Sequence, residues 1–382
     1  MNGIPAELSE RYLQEVAELR CSGPLYDTHV HPYEVLFDRF AYQQDPSLPG
    51  VLSMPGKCYL PPAAGPVKFG EVPELGTELR PQRLIDIAVM LLGRMYGSVG
   101  PRVFSDQLSR SGLDRVLLLP VAAEGSDAAQ FELRMQWIRD LYGDDDRFSL
   151  AGSIPPTLEG DQIEGYAAHL KERFAIRAIK CHPVVSGINL GTSCRKTWLE
   201  ALLEGCHRLG LPVVIHGGRN NPYWACARAD FGSLTHLRQL NFSLSGSPVI
   251  LAHAGMHRCP LTEMEREALP VLKKMLARHD NLYVDLSGLE FEQLKLVLAS
   301  VAPERILFGS DALYTPQWEV VATTVHALHS LGAGWQQRFL QFSSTNPHKV
   351  FENVLLPADS DQKSRPPRET LTSFSSTPLP SP

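Results

Sequence analysis

The segment Asp27-Thr28-His29-Val30-His31 places two histidines one residue apart near the amino terminus of the chain. It lies in an apolar stretch, residues 25–31, that is typical of a β-strand. Alternate residues of a strand face the same side, so the imidazoles of His29 and His31 are expected to project together. Two imidazoles placed in this way can bind one metal ion.

Three further ionisable residues lie at the ends of other apolar stretches: His216 in residues 212–217, His253 in residues 248–254 and Asp311 in residues 306–311. A single residue of this kind is more often a structural polar group than a ligand. In a barrel of parallel strands, however, all these ends meet at one mouth. Buried ionisable groups are costly unless they are paired or bind a metal, so their convergence predicts a divalent metal site.

Alternating strands and helices are needed to bring these residues together. Near-continuous apolar runs, typical of strands buried on both faces, occupy residues 25–31, 113–121, 148–154, 175–182, 212–217, 248–254, 282–287 and 306–311. Helical patterns occupy residues 130–142, 197–210, 262–280, 290–300 and 319–332. The order predicts an α/β protein, specifically a (β/α)8 TIM barrel, with a doubly wound open sheet as the alternative.

The length of 382 residues fits one large domain with additions. We expect a single barrel domain over residues 1–356, with a long insertion after the first strand at residues 37–80. This insertion would lie over the active face, as a substrate lid or as an oligomer contact. Residues 80–111 are expected to form one or two helices. Residues 357–382 are rich in Pro, Ser and Thr and are expected to form a disordered tail.

Composition and charge limit the partners that we expect. The net charge is −6 and there is no long basic run, so nucleic acid is not an expected partner. No apolar run is long enough to span a membrane, and the amino terminus does not resemble a secretory signal. The 7 cysteines form no CxxC pair, which favours a reducing, cytoplasmic location. The expected partner is a small-molecule substrate, and a homodimer is left open.

The order of these residues resembles the amidohydrolase superfamily: HxH after the first strand, His after the fifth and sixth, and Asp after the eighth. Several short sequence segments are similar to those of its amidohydrolase-related (amidohydrolase 2) branch. The segments that carry the resemblance are Ile179-Lys180-Cys181-His182-Pro183, Ala252-His253-Ala254-Gly255, Val284-Asp285-Leu286-Ser287, Phe308-Gly309-Ser310-Asp311 and the stretch from Ser344 to Phe351. The resemblance covers roughly residues 26–354, apart from most of the insertion.

The resemblance implies that His29, His31 and His216 hold one divalent metal ion and that Asp311 completes its ligands. Zinc is the metal most often found in the family, with manganese and iron as alternatives. Asp311 would also take a proton from the water that the metal activates. His253 would polarise the substrate, stabilise negative charge, or act as an acid or base.

Four other residues have roles that remain open. Lys180 is the candidate ligand of a second metal, because some family members carboxylate a lysine here, although one metal is favoured. His182 faces the same way and would contact substrate or cap the strand. Arg219 would bind a substrate carboxylate or remain a solvated loop charge. Asp27 would orient a ligand imidazole or make a strand-end hydrogen bond.

Two reactions fit this site. The preferred one is metal-dependent hydrolysis of a small amide, ester or lactone. The alternative is non-oxidative decarboxylation of an aromatic or unsaturated carboxylic acid, in which His253 or Asp311 protonates carbon. The segment after His253 lacks the residue order usual in decarboxylases, which favours hydrolysis. A barrel without enzymatic activity that binds a partner is a third hypothesis, to be expected if metal ligands were missing.

Overall fold

A computed structural model describes residues 4–32, 101–219, 229–312 and 315–355 of the chain. The predicted insertion at residues 37–80 and the predicted tail at residues 357–382 lie outside these ranges, as do residues 80–100 of the predicted helical region. The single domain over residues 1–356 therefore stays a prediction. Among the described helices, none combines the length and the apolar character that a membrane span requires.

Nine strands are found in the described residues, and nearly all of their residues are buried. They are β1 (Tyr26–Val30), β2 (Arg115–Leu118), β3 (Phe148–Leu150), β4 (Gly152–Ser153), β5 (Ile179–Cys181), β6 (Val213–Gly218), β7 (Val249–His257), β8 (Leu282–Asp285) and β9 (Ile306–Leu307). Only Ala151 separates β3 from β4, so these two occupy one position and the strands fill eight positions in all.

Neighbouring strands pair in parallel, from β1 to β3 and from β4 to β9. Backbone bonds between β1 and the segment after β9 close the circle. The amide of Thr28 donates to the carbonyl of Phe308 at 3.0 Å, and that of Asp311 donates to the carbonyl of His29 at 2.8 Å. The predicted (β/α)8 TIM barrel is therefore confirmed, and the open sheet is excluded because an open sheet leaves its edge strands unpaired.

Helices follow most strands and cover the barrel. They are α1 (Ala6–Leu19), α2 (Pro101–Ser111), α3 (Ala128–Tyr142), α4 (Asp161–Phe174), α5 (Ser193–Arg208), α6 (Leu234–Leu237), α7 (Leu261–Glu263), α8 (Leu269–Arg278), α9 (Phe291–Ser300), α10 (Gln317–Ser330), α11 (Trp335–Leu340) and α12 (Asn346–Leu355). A π-helical turn, Met264–Ala268, divides the helix predicted over residues 262–280. Five helices lie outside the predicted helical patterns: α1, α4, α6, α11 and α12.

The core has two parts that follow from the strand period of two. An inner cluster fills the barrel with side chains such as Leu117, Val214 and Ile250. Their sequence neighbours, such as Leu118 and Ile215, belong to the larger cluster between strands and helices. On β6 this alternation also turns His216 towards the inside, because it lies two residues after Val214.

Candidate metal centre and active site

His29, His31 and Asp311 form a buried group at the carboxyl ends of β1 and β9. Each offers one ligand atom, and these atoms all lie within 4.8 Å of one another. The Nε2 atoms of His29 and His31 are 3.2 Å apart. Asp311 Oδ1 lies 3.4 Å from His31 Nε2 and 3.7 Å from His29 Nε2. The structure thus brings together three of the four predicted metal ligands.

Hydrogen bonds on the far side of each ring determine which nitrogen carries the proton. His29 Nδ1 donates to the Asp285 carboxylate at 2.8 Å, and His31 Nδ1 donates to the carbonyl of Leu119 at 2.8 Å. A carbonyl and a carboxylate oxygen can only accept, so both rings carry hydrogen on Nδ1 and a lone pair on Nε2. Two lone pairs and a carboxylate oxygen therefore face one another.

This arrangement of acceptors fits a cation. Asp311 Oδ1 is buried and has no hydrogen-bond partner among the described residues. Two nitrogens bound to one zinc ion at about 2.0–2.1 Å lie about 3.3 Å apart when the geometry is tetrahedral, which agrees with the separation of the two Nε2 atoms. Converging acceptors repel one another, and a divalent metal ion among them would remove that repulsion. One of these acceptors, His29 Nε2, also lies 3.2 Å from Lys180 Nζ. The residues present therefore fit the metal that the family implies.

His216 joins the site through a chain of imidazoles. His253 Nδ1 donates to the carbonyl of Ser287 at 2.9 Å, which leaves a lone pair on His253 Nε2. That atom accepts the Nδ1 hydrogen of His216 at 3.1 Å. His216 Nε2 consequently holds a lone pair, and it is buried without a hydrogen-bond partner in the described ranges. His216 has the tautomer of a metal ligand but is not part of the close group of His29, His31 and Asp311.

Lys180 and His182 line the same interior on β5 and directly after it. Lys180 is fully buried, and its Nζ donates to His29 Nε2 at 3.2 Å. The His182 ring stacks on His216, with centroids 3.9 Å apart and planes at 11°. Lys180 thus places a positive charge beside the metal group, while His182 supports the orientation of a predicted ligand.

Arg219 is placed differently from the prediction for a substrate ligand. Its side chain is 43% exposed, and its guanidinium binds both carboxylate oxygens of Glu263 at 3.0 and 3.1 Å. Asp230 adds a contact of 3.4 Å. In this arrangement the guanidinium links the residue after β6 to the last residue of α7, and a substrate carboxylate would have to displace Glu263.

Burial away from water disfavours charge throughout the site. It raises the pKa of the Asp311 carboxyl from 3.8 to about 7. It lowers the pKa of His31 to about 3 and that of Lys180 to about 8. It also lowers the pKa of each of three further imidazoles well below the ordinary value: His29, His216 and His253. The imidazoles are therefore neutral near pH 7, as metal binding requires.

Irregular backbone turns the site residues inward. On β1, Asp27 pairs with Val116 but Val30 pairs with Leu118, so β1 has one extra residue at this point. Before the bulge the side chain of Tyr26 faces the inside of the barrel, and after the bulge those of His29 and His31 do. In a regular strand the side chain of His253 would point towards the helices, as that of Leu251 does. The φ of 58° at His253 changes the backbone direction and turns this side chain inward. Asp311 also has a φ of 58°. Such strained residues cluster at functional sites.

Asp27 and Asp285 divide the supporting roles. The buried Asp27 carboxylate accepts the backbone N–H of His29 at 3.1 Å and that of Ser310 at 3.0 Å, and burial raises its pKa to about 6. It therefore holds the strand ends, whereas the imidazole of His29 is oriented by Asp285. Asp285 was not among the predicted site residues. The signal was present, because Asp285 lies near the end of the predicted strand over residues 282–287.

The fold and this site define a TIM-barrel protein with a candidate metal centre at the carboxyl end of the barrel. A family model described as amidohydrolase (Amidohydro_2) matches residues 111–352, which is more than half of the chain. The chain therefore belongs to the amidohydrolase family, as its sequence motifs predicted. No curated protein matches the sequence.

Solved structures with low sequence identity share the fold. A 4-oxalomesaconate hydratase from Rhodopseudomonas palustris has a TM-score of 0.53 and 13% identity, covering 86% of this chain and 96% of that one. A 5-carboxyvanillate decarboxylase from Sphingomonas paucimobilis has a TM-score of 0.52 and 14% identity, covering 86% and 99%. An uncharacterised TIM-barrel protein from Bordetella bronchiseptica has a TM-score of 0.50 and 12% identity, covering 87% and 99%.

Proposed function

We propose that this protein is a metal-dependent hydrolase of a small amide, ester or lactone. One divalent ion, which we propose to be zinc, would be held by His29, His31, His216 and Asp311. The observation that carries the proposal is the group of three converging acceptors, in which Asp311 Oδ1 lies 3.4 Å from His31 Nε2 and has no hydrogen-bond partner among the described residues. When bound, such an ion polarises a substrate oxygen and lowers the pKa of water.

The side chains supply the proton transfers of hydrolysis. The Asp311 carboxylate takes a proton from water as the water oxygen bonds to the carbonyl carbon. The same proton passes to the leaving nitrogen or oxygen as its bond to that carbon breaks. His253 can act on the substrate only if its Nε2 exchanges the His216 N–H for a substrate atom, since these two nitrogens are 3.1 Å apart.

Decarboxylation of a carboxylic acid is the second candidate, and Lys180 favours it. Its ammonium is fully buried, with Nζ 3.2 Å from His29 Nε2, and offers a positive charge to a substrate carboxylate. Two of the structurally similar proteins are named as decarboxylases, of 5-carboxyvanillate and of 2,6-dihydroxybenzoate. Membership of an enzyme family and the full set of acceptors oppose the third hypothesis, a barrel that only binds a partner.

The test compares both reactions on the same metal-loaded protein. Purified full-length chain, loaded with zinc, manganese or iron, is assayed against lactones, amides and esters for hydrolysis, and against aromatic acids for release of carbon dioxide. We expect hydrolysis that Asp311→Asn abolishes and that the exposed control Asp280→Asn leaves unchanged. Carbon dioxide release without hydrolysis would replace the first candidate with the second.

A further inference from the structure

Three polar atoms, two from β7 and one from the segment after β9, lie close to Gly288, which follows β8. A β-carbon on this residue would lie 3.0 Å from His253 Nδ1, 3.2 Å from His257 Nδ1 and 3.3 Å from Asp311 Oδ2. Any side chain at residue 288 would fill the space between these groups. Because glycine has no β-carbon, these three polar atoms face one another beside its backbone with no side chain between them.

His257 has an imidazole nitrogen available on this side. It is the last residue of β7, and its ring centroid lies 4.5 Å from that of His253. Its Nδ1 is buried and has no hydrogen-bond partner in the part of the chain that the structure describes. A buried polar atom without a partner destabilises the protein, and a bound group that completes the hydrogen bond removes that cost.

The backbone holds the His257 ring in this position. Gly218 of β6 pairs with His257 in the sheet, and the amide of Arg219 donates to the carbonyl of His257 at 2.9 Å. His257 also lines a cavity of about 420 Å³ together with Gly218, Arg219 and Glu263. The position of His257 is therefore set by the pairing of β6 and β7.

We infer that Gly288, His257 and Asp311 together bind an O–H group of a reactant. The O–H donates to Asp311 Oδ2, and its oxygen accepts a hydrogen from His257 Nδ1. A substrate carboxylate fits this place poorly, because it would meet the like charge of Asp311. The inference rests on the proposed function, since the O–H group is either the water consumed in hydrolysis or a hydroxyl of the substrate.

The variant Gly288→Ala tests the space directly, and Gly210→Ala is its matched control. The two glycines have similar φ angles, 60° and 66°, but nothing lies within 4 Å of a β-carbon built on Gly210. We expect Gly288→Ala to lower kcat about 100-fold at constant KM if the group is water, or to raise KM by a similar factor if it is a substrate hydroxyl. Kinetics equal to those of Gly210→Ala would overturn the inference.

A second pair of variants tests the nitrogen of His257. His257→Gln keeps a side-chain group that can form hydrogen bonds, whereas His257→Leu removes it. We expect His257→Leu to lower kcat/KM about 10- to 100-fold more than His257→Gln, with equal metal content in both variants. Equal activity of the two variants would contradict a direct contact between His257 and the reactant.

A crystal structure of the metal-loaded protein separates this inference from the proposed function. We expect an ordered water within hydrogen-bond distance of both His257 Nδ1 and Asp311 Oδ2 in the wild type, and its loss in Gly288→Ala. A wild-type structure without that water, and without a substrate hydroxyl there when substrate is bound, would overturn the inference. Water in this place in a protein that hydrolyses no substrate would contradict the proposed function alone.

Discussion

The carboxylate of Asp285 orients two histidines of the site at once. It is buried, and its Oδ2 accepts the Nδ1 hydrogen of His29 at 2.8 Å. Its Oδ1 accepts the backbone N–H of His253 at 2.9 Å and of Ser287 at 3.1 Å. A ligand imidazole held in this way keeps its tautomer and ring orientation before the metal binds.

We therefore expect Asp285→Asn to weaken metal binding by about 10- to 100-fold. Asp285 accepts hydrogen bonds at both carboxylate oxygens, whereas an asparagine amide has only one oxygen. In the variant, either His29 Nδ1 or the backbone N–H of His253 therefore faces another N–H group and loses its acceptor. The measurement is competition for zinc with a chelator of known affinity. The control is Asp280→Asn, whose side chain is fully exposed and contacts Arg305. Equal affinities of wild type and Asp285→Asn would refute this role.

The residue types of the site could be predicted from the sequence, but their hydrogen bonds could not. The period of two identified His29 and His31 as a pair. Three other predicted residues were identified because each ends an apolar stretch: His216, His253 and Asp311. Asp285 could have been identified in the same way, because it lies near the end of the predicted strand over residues 282–287. The ion pair between Arg219 and Glu263 could not be predicted, because these residues are distant in sequence and meet only through packing.

At the scale of elements, the carboxy-terminal segment forms hydrogen bonds at both ends of β9. The side-chain amide of Asn346, the first residue of α12, donates to the carbonyls of Pro303 at 2.7 Å and Ile306 at 2.6 Å. The amide of Phe308 donates to the carbonyl of Phe342, in the π-helical turn Gln341–Thr345, at 2.9 Å. The carboxy-terminal segment thus provides hydrogen-bond partners to the backbone around this short strand.

Asn346→Ala is expected to lower the free energy of unfolding by about 1–3 kcal/mol, because it removes the side-chain hydrogen bonds to two backbone carbonyls. Chemical denaturation of the metal-loaded protein measures the change. Lys349→Ala is the control, since it is exposed on the same helix and should change stability by no more than about 0.5 kcal/mol. Similar unfolding midpoints for the two variants would show that Asn346 is not required for stability.

Strand and helix positions could be predicted where the apolar pattern is continuous. The predicted strand at residues 212–217 is close to β6, but the one at residues 175–182 contains only the short β5. Ala175 has a φ of 51° and ends α4, so the chain turns there before the strand begins. Helix α4 was missed although its buried residues recur every three or four positions, so its apolar pattern could have been recognised.

At the scale of the whole molecule, buried histidines make the stability of the metal-free protein depend on pH. Burial lowers the pKa of His31 to about 3, whereas the unfolded chain titrates near 6.5. Below pH 6.5 the unfolded state therefore binds more protons, and the stabilising contribution of the neutral ring is lost as the pH falls. Asp311 and Asp27 oppose this trend because burial raises their pKa values, but the buried histidines are more numerous.

We expect the free energy of unfolding of the chelator-treated protein to fall between pH 6.5 and 5. In His31→Asn the slope should be smaller by about 1 kcal/mol per pH unit, the effect of one proton fewer. Denaturation at several pH values measures it, with the exposed Gln336→Asn as a control that removes no titrating group. Equal slopes in wild type and His31→Asn would mean that this ring titrates alike in both states.

The sequence by itself determined the class of the fold, the family and the residue types of the site. These properties depend on local periodicity and on the order of polar residues at strand ends, and both can be read from the amino-acid sequence. Only the tertiary structure decided which atoms face one another. The bulge in β1 and the left-handed backbone at His253 turn ligands inward, and the distant partners Asp285, Leu119 and Ser287 select the imidazole tautomers. The physical reason is that a hydrogen bond across the barrel depends on backbone direction and closure, which short-range patterns do not encode.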